Sequence, residues 1–361
     1  MSYNNTTNGG TYTNDGTIAN NSPVIRAAIY SEMMMEEIQD GFLPEGLHRD
    51  VSDFSDGSRI LIPQMGEVTV TDIAEDDDMS STAQAQIGLS NIELKITEYK
   101  GAMTAITDEM KQDSYKAMEI EASMPRKHLR AIREQYETNM LATAGGATQI
   151  TATAGWSAGA YGDGATPGDN CIINGAPHRW VAAGTDQVIT LDDFISAKLS
   201  LDKANIPYEG RIAIVDPVVE ATLNTLVGAQ AFSAEQHWGG YLESGFAANM
   251  KFFGNIYGFD IFISNRNTTL GASDADLLTF ADAYASTGSA VETDGLKSNI
   301  FMSVLDPEVM PLMGAWRKMP SIEGDRNVPK RRDEFYSTAR WGFGLQRPES
   351  LVTVATNAAK Y

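Results

Sequence analysis

The stretch NIELKITEY, residues 91–99, alternates apolar and polar side chains as a half-buried β-strand does. Ile92, Leu94 and Ile96 share one face of this predicted strand. An earlier stretch with strand character, RILIPQMGEVTVTD at 59–72, is separated from it by a polar, acidic segment without proline. The sequence therefore predicts a two-stranded ribbon with a long polar tip. Such a ribbon is marginal in water unless a second surface covers its apolar face.

Composition limits the kinds of protein that this chain can be. Its 361 residues, 42% of them hydrophobic, suit one large or two modest globular domains. The formal net charge of -21 disfavours binding of nucleic acid through the overall field, although such a chain could enclose nucleic acid without adhering to it. With Cys171 as the single cysteine, an intrachain disulfide is impossible, which fits a reducing cytoplasm. Neither a secretory signal nor a transmembrane helix is predicted.

Outside the ribbon, the pattern predicts alternating polar and helical segments. Residues 1–22 are so polar that we expect the segment to be either disordered or ordered only by a partner, and a short helix is expected after Ser22. Thr107 has the features of an N-cap for a helical pattern over 107–143, in which Pro125 predicts a kink or a restart. The Gly- and Thr-rich segment 144–189 predicts loops and short strands.

The second half of the chain carries a helix–strand–helix signal. A capping box of Thr190 and Asp193 opens a helix on which Ile195 and Leu199 share a face. RIAIV at 211–215 predicts a buried strand, followed by a helix capped at "DP", 216–217. Strands are also expected at FDIFIS (259–264) and near LLTFA (277–281), ahead of a mixed tail.

Several motifs suggest chemistry but lack the context that the chemistry needs. Gly155 to Gly159 matches the Gly-x-Ser-x-Gly elbow of serine hydrolases around Ser157, yet a buried strand does not precede it and a helix cannot follow it. The acidic run EDDD at 75–78 could attract a cation but lacks a calcium-loop pattern. The Gly-x-Gly at 342–344 is followed by arginine and proline where a dinucleotide-binding helix would begin.

The remaining polar candidates favour structural roles. The four histidines do not stand at metal-ligand spacing: His48, His128, His178 and His237. The basic cluster RNVPKRR at 326–332, flanked by acidic residues, could contact nucleic acid, but a salt-bridged subunit contact is the favoured interpretation. We therefore expect no enzyme, no cofactor and no metal site.

Taken in chain order, the motifs resemble the major capsid proteins of tailed double-stranded DNA bacteriophages, which have the Hong Kong 97-like fold. The resemblance covers roughly residues 56–355 apart from 145–189. The stretches that carry it are GSRILIPQMGEVTVTDI (57–73), LKITEYKGAMTAITDEM (94–110), LDKANIPYEGRIAIVDPVVEATL (201–223), GNIYGFDIFISN (254–265), LLTFADAYA (277–285) and ARWGFGLQRPESLV (339–352).

The resemblance implies an α+β fold with an N-terminal arm, an extended β-hairpin loop, a peripheral domain carrying a long spine helix, and an axial domain. The expected divisions are 1–55 for the arm, 56–104 for the extended loop, 105–144 for the spine helix, 145–189 for a β-rich insertion, 190–304 for the axial domain, and 305–361 for the return to the peripheral domain with a C-terminal strand.

The resemblance also implies a function. Copies of the chain would form pentamers and hexamers and tile an icosahedral shell around double-stranded DNA, in the virion and assembled in the bacterial cytoplasm. A separate scaffolding protein and a portal are the other expected partners, and a decoration protein could be a further one. Binding to a membrane is not expected. Because residues 66–91 contain no lysine, we expect no covalent crosslinking of the loop.

In such a shell, the adjacent subunit would cover the apolar face of the ribbon. The residues expected at subunit interfaces are Val68, Val70, Met79, Ile87, Ile92, Leu94, Ile96, Met33, Met34, Arg331 and Arg332. Two alternatives remain open from the sequence: an encapsulin-like nanocompartment shell, which encloses enzymes, and a serine hydrolase using Ser157.

Overall fold

The structure is a computed structural model of the full chain, and two compact units divide it: 1–40 and 41–361. The residues that the structure describes are 4–5, 12–14, 18–19, 42–44, 46–52, 57, 59–65, 89–113, 117–146, 171–229, 252–271 and 276–357. In the first unit, three short strands form an antiparallel sheet: β1 (Asn4–Asn5), β2 (Tyr12–Asn14) and β3 (Ile18–Ala19). The polar composition of this segment predicted disorder or order only from a partner, whereas these strands pair with one another.

The second unit is built from fourteen described strands, of two to sixteen residues, and five described helices. Its strands are β4 (Arg49–Asp50), β5 (Arg59–Met65), β6 (Leu89–Lys95), β7 (Glu98–Thr107), β8 (Ile172–Ile173), β9 (Ala176–Pro177), β10 (Arg179–Val181), β11 (Arg211–Val215), β12 (Phe252–Ile256), β13 (Phe259–Ile263), β14 (Leu296–Ser303), β15 (Leu312–Asn327), β16 (Arg332–Leu345) and β17 (Leu351–Asn357). Its helices are α1 (Asp108–Asp113), α2 (Ala117–Gly145), α3 (Leu191–Lys203), α4 (Pro217–Ala229) and α5 (Phe280–Ala285). Within the described ranges, no helix is both long and apolar enough to span a membrane.

The largest sheet has six strands in the order β10-β17-β14-β11-β13-β12. Helices α3 and α4 bury Phe194, Leu201 and Leu223 in the same core as the strand residues Phe301 and Val354. The predicted helix starts are confirmed here. Thr190 and Asp193 form the capping box of α3, and the Asp216 carboxylate accepts a hydrogen bond from the Val218 amide at 3.1 Å.

A second sheet has four strands in the order β4-β15-β16-β7, and the long helix α2 lies across it. Ile132 of α2 is buried against Ala339 and Trp341, and the Tyr136 ring stacks on Trp316 at 4.3 Å between centroids. Aromatic packing of this kind fixes α2 on the sheet more firmly than helix propensity could.

The predicted N-cap at Thr107 is confirmed, because its hydroxyl accepts a hydrogen bond from the Met110 amide at 3.2 Å. Of the kink or restart predicted at Pro125, the restart is wrong, because α2 begins at Ala117 and continues through the proline, and the kink stays a prediction. Proline removes one backbone hydrogen bond from a helix, and the packing of the following turns on the sheet offsets that loss.

In three other segments the structure adds to the sequence prediction or differs from it. Trp180 and Val181 of β10 are fully buried in the six-stranded sheet, so the end of the 145–189 segment contributes a core strand. LLTFA leads into helix α5 and is not a strand, because the Thr279 hydroxyl caps the helix by accepting from the Asp282 amide. Ile195 and Leu199 lie on the exposed side of α3, since Phe194, Ala197 and Leu201 form its buried side.

The chain crosses between the two sheets more often than the predicted divisions imply. Strand β7 leaves the ribbon and joins the four-stranded sheet, whereas β17 returns to the middle of the six-stranded sheet between β10 and β14. Both positions are set by pairing between strands that are distant in sequence. The local pattern of apolar and polar residues does not indicate which strands will pair. The domain divisions themselves stay a prediction.

Candidate subunit-interface surfaces

The base of the β5–β6 ribbon lies on the four-stranded sheet of its own chain. Ile92, Leu94 and Ile96 are 5%, 0% and 3% exposed. They form one cluster with Met313 and Ala315 of β15. The prediction that only a neighbouring subunit covers this face is therefore wrong at the base of the ribbon. These three side chains belong to the core of a single chain, and their assignment as interface residues is corrected.

Two glycines of β16 allow the ribbon to lie this close to the sheet. A Cβ atom on Gly342 would lie 2.5 Å from the Lys95 carbonyl oxygen and 2.8 Å from the Ile96 Cα. A Cβ atom on Gly344 would lie 3.1 Å from Cδ1 of Leu94. The Gly-x-Gly motif at 342–344 thus permits a close approach between two backbone segments, which is a common reason for glycine within a strand.

We expect Gly342→Ala to destabilise the fold by about 1–3 kcal/mol, because the added methyl group meets backbone atoms that no rotamer change can move. Urea unfolding measures the loss. The matched control is Gly324→Ala in the same hairpin, where the new Cβ would lie 3.6 Å from the Phe335 ring, an ordinary contact. Equal unfolding free energies for the two variants would contradict the close approach.

The base of the ribbon also presents a mixed outer face. Strands β5 and β6 are antiparallel, with Leu61 opposite Glu93. Leu61 is 54% exposed, and Glu93 holds Arg59 and Lys95, each at 3.3 Å between nitrogen and oxygen. This face combines an exposed leucine with partly exposed charges, as protein interfaces commonly do.

The other projecting element is the β15–β16 hairpin, which ion pairs tie to helix α1. The Arg326 guanidinium donates to both Asp108 carboxylate oxygens at 2.6 and 2.7 Å and to Asp333 at 2.8 Å. Lys111 bonds Asp333 at 2.6 Å and pairs with Glu121 of α2 at 3.2 Å. The hairpin, α1 and α2 therefore share one charge network.

The network shifts the pKa of each of its main members. The hydrogen bond from Arg326 lowers the pKa of Asp108, and those from Lys111 and then Arg326 lower the pKa of Asp333. The same bonds raise the pKa of Arg326 and of Lys111. Because each partner favours the charged form of the other, all four groups are ionised at neutral pH.

We expect the charge network to stabilise the folded chain at neutral pH and to lose this stabilising contribution in acid. A carboxylate whose pKa is lowered by folding stabilises the folded state above its unfolded pKa, about 3.9 for aspartate, and that contribution disappears as the pH falls through the lowered value. Urea unfolding from pH 7 to pH 3 measures it. Arg326→Gln should be less stable than the wild type at pH 7, with the difference narrowing toward pH 3. A difference that does not change with pH would contradict this account.

A sequence model of the phage capsid protein family matches residues 91–354. The chain belongs to the phage capsid protein family. The match covers α2, most strands of the two large sheets and most of strand β6 of this capsid protein, whereas β4 and β5 lie before it. None of the curated protein sequences compared with it matches.

Solved structures show the same fold along nearly the whole chain. The capsid of cyanophage P-SCSP1u aligns with a TM-score of 0.60 and 14% identity over 93% of this chain and 95% of that one. The capsid of Ralstonia phage GP4 gives 0.57 and 12% over 96% and 99%, and the capsid of a native GTA particle gives 0.56 and 10% over 94% and 98%. The predicted Hong Kong 97-like α+β fold is confirmed.

The other predicted interface residues of this capsid protein have different outcomes. Met33, Met34, Val68, Val70, Met79 and Ile87 lie outside the described residues and stay predictions. Arg332 pairs within its own chain, with its Nε 2.5 Å from Glu334, so it does not need a partner subunit for its charge. Arg331 is exposed at the hairpin turn, where it makes no ion pair with another described residue. Beside it, Val328 is 70% exposed.

Sequence reasoning missed several exposed apolar side chains of this capsid protein. On α1, α2 and the four-stranded sheet they are Tyr99, Met103, Met110, Leu129 and Met319, and around the six-stranded sheet they are Ile172, Ile195, Leu199, Tyr208, Tyr257, Tyr284 and Leu305. On α3 a signal was available: Phe194, Ala197 and Leu201 form a second apolar stripe at helical spacing, and comparison of the two stripes would have placed Ile195 and Leu199 outside.

The described histidines occupy structural positions. His48 Nε2 lies 2.9 Å from the Tyr136 hydroxyl, His128 Nε2 lies 3.1 Å from the Thr104 hydroxyl, and His178 Nδ1 lies 3.1 Å from the Ala176 carbonyl oxygen. Burial lowers the pKa of His178 to about 4, so it is neutral at pH 7. Across the described part of the chain, no three His, Cys, Asp or Glu side chains are grouped to hold a metal. His237, Ser157 and the acidic run 75–78 lie outside the described residues.

Proposed function

We propose that this chain is the major capsid protein of a tailed phage, whose copies assemble as pentamers and hexamers into an icosahedral shell around double-stranded DNA. The observation that carries the proposal is the family match over 91–354, together with capsid structures that align along more than nine-tenths of the chain. The role is structural, and we propose no enzymatic activity, cofactor or metal for it. Assembly takes place in the bacterial cytoplasm, with a separate scaffolding protein and a portal, and a decoration protein is a further candidate partner.

The described surfaces support contacts between copies. The ribbon is anchored at its base by Ile92, Leu94 and Ile96, so strand β6 is held on the sheet before any partner binds. A pre-organised projection loses less entropy on association than a free loop does. The hairpin turn offers a second contact through Val328 and Arg331, whose positive charge would suit the acidic surface that a net charge of -21 gives to a neighbouring copy.

Imaging the purified chain tests the proposal. The full chain is expressed alone and with a candidate scaffolding protein, fractionated by sedimentation and examined by negative-stain electron microscopy. We expect closed particles, tubes or capsomer rings. A monodisperse monomer under all conditions would contradict self-assembly. Particles from infected cells should hold double-stranded DNA, and small shells filled with an enzyme would point to the nanocompartment instead.

We expect the assembled particles to contain no covalent crosslinks. The lysines nearest the ribbon base are engaged in ion pairs, Lys95 with Glu93 at 3.3 Å and Lys100 with Glu98 at 2.9 Å, and residues 66–91 contain none. Mature particles boiled in denaturant should therefore run as a single band for this chain on a gel. A ladder of higher-mass bands would overturn the expectation.

A further inference from the structure

Residues 42–44 and 46–52, called the strap here, cross from helix α2 to strand β15. At the far end the strap is part of the sheet: β4 pairs with Met313 and Gly314, and the Val51 amide donates to the Gly314 carbonyl at 2.9 Å. Ser52 adds a hydrogen bond from the Trp316 amide at 2.9 Å. This end of the strap is therefore held mainly by backbone hydrogen bonds of a β-sheet.

The near end of the strap is held in a different way, by one carboxylate. Glu137 of α2 is 5% exposed and accepts a hydrogen bond from the Leu43 amide at 3.3 Å through Oε2. Its Oε1 accepts from the Ser264 hydroxyl and from the Arg266 guanidinium, both at 3.3 Å or less. Ser264 and Arg266 directly follow β13 of the six-stranded sheet. One buried side chain thus joins the strap, the long helix and the larger sheet.

The ring of Phe42 adds a second link to the same place. The guanidinium carbons of Arg133, Arg130 and Arg266 lie 4.6, 4.9 and 5.2 Å from its centroid. Arg266 also reaches Glu134 on α2 at 3.3 Å. The same arginine therefore contacts the strap through a cation–π interaction and the long helix through two carboxylates.

Among the described residues, packing between the strap and the body is incomplete. A half-open cavity of about 520 Å³ lies there, with Leu47 and His48 of the strap on one side and Tyr136, Met140 and Trp316 on the other. Interiors are normally close-packed, so the described part of this joint has fewer contacts to lose on opening than the rest of the core has. Its fixed points are Glu137 and the contact between His48 and Tyr136. Burial lowers the pKa of His48, against the opposing effect of Asp50, so that the contact involves a neutral ring at pH 7.

We propose that the strap is a releasable latch: its first half opens about β4, and Glu137 locks it to the six-stranded sheet. Opening separates Phe42, Leu43 and Leu47 from the long helix, and the lock makes opening depend on Ser264 and Arg266. Any movement of the larger sheet relative to α2 would therefore release the strap. The proposal concerns a single chain and stands whether or not the shell-forming function is correct.

Thiol labelling of the full-length, unassembled chain tests the latch. Leu47→Cys places a thiol at a position that is 4% exposed, and the native Cys171, 3% exposed in the same cluster, reports opening of the whole core. Peptide mass mapping separates the two thiols. We expect Glu137→Gln to raise the labelling rate at position 47 roughly tenfold, because the amide nitrogen cannot accept a hydrogen bond and the charge that holds Arg266 is lost. The rate at Cys171 should not change.

Two further variants test whether Glu137 couples the strap to the six-stranded sheet or only holds the strap on α2. Glu134→Gln removes the other carboxylate on Arg266, one without a bond to the strap, and should leave the rate at position 47 near the wild-type value. Ser264→Ala should raise it several-fold, although its hydroxyl bonds only Glu137 and the Arg266 amide among the described residues. The latch is overturned if Glu137→Gln leaves position 47 unchanged, or if Cys171 accelerates in parallel. An unchanged rate in Ser264→Ala would overturn the coupling.

Discussion

Leu94→Ala lowers the free energy of unfolding by about 2–5 kcal/mol, the range for leucine truncation in a packed core. The Leu94 side chain on ribbon strand β6 is 0% exposed and packs in one cluster with Met313 and Ala315 of β15. Truncation therefore leaves a cavity beside these two residues. The effect is measured by urea unfolding of the unassembled chain, so that subunit contacts cannot contribute to it.

Leu61→Ala provides the matched control for this prediction. It is the same substitution on the same ribbon, but Leu61 is 54% exposed and should cost less than about 0.5 kcal/mol, as surface substitutions usually do. If the two substitutions had equal effects on the isolated chain, the ribbon base would not be part of the core. Leu61→Ala should instead weaken particle assembly, because we expect the Leu61 side chain to contact a neighbouring subunit there.

Deleting residues 73–88 abolishes stable shells and leaves the chain folded. The described base of the ribbon, up to Met65 and from Leu89, carries the contacts to β15 and β16, so the deletion removes none of them. We expect the deleted segment to contact neighbouring subunits, and each copy makes several such contacts at once, so their combined loss is large. Sedimentation and negative-stain imaging compare the deletion with the full chain.

The fold of the deletion variant must be checked in the same preparation. Its urea unfolding midpoint should match that of the unassembled full chain, which would place the defect in assembly and not in folding. Particles of normal size and yield from the deletion variant would refute the proposed role of the ribbon tip.

The sequence predicted those features that depend on neighbours along the chain. Thr107, Thr190 and Asp216 were identified as helix caps because a cap is a local hydrogen bond between residues two or three apart. The alternation at Ile92, Leu94 and Ile96 correctly indicated one buried face. The family resemblance supplied the order of the elements, and with it the fold.

Features that depend on distant pairing were not predictable in this way. Nothing near Leu94 in sequence indicates that Met313 covers it, and so the ribbon base was assigned to a neighbouring subunit. The role of Gly342 becomes evident only when Lys95 is placed above it. In the sequence, Glu137 cannot be distinguished from other acidic residues on a helix. Its three hydrogen-bond partners, Leu43, Ser264 and Arg266, come from separate parts of the chain.

Electron cryomicroscopy of the particles formed by the full chain tests the central claim most directly. The account predicts a closed shell of pentamers and hexamers in which strands β5 and β6 rest on β15 and β16 of their own subunit, while the ribbon tip contacts an adjacent subunit. A chain that forms no shell in the presence of its scaffolding protein, or a shell in which the ribbon tip contacts no other subunit, would contradict it.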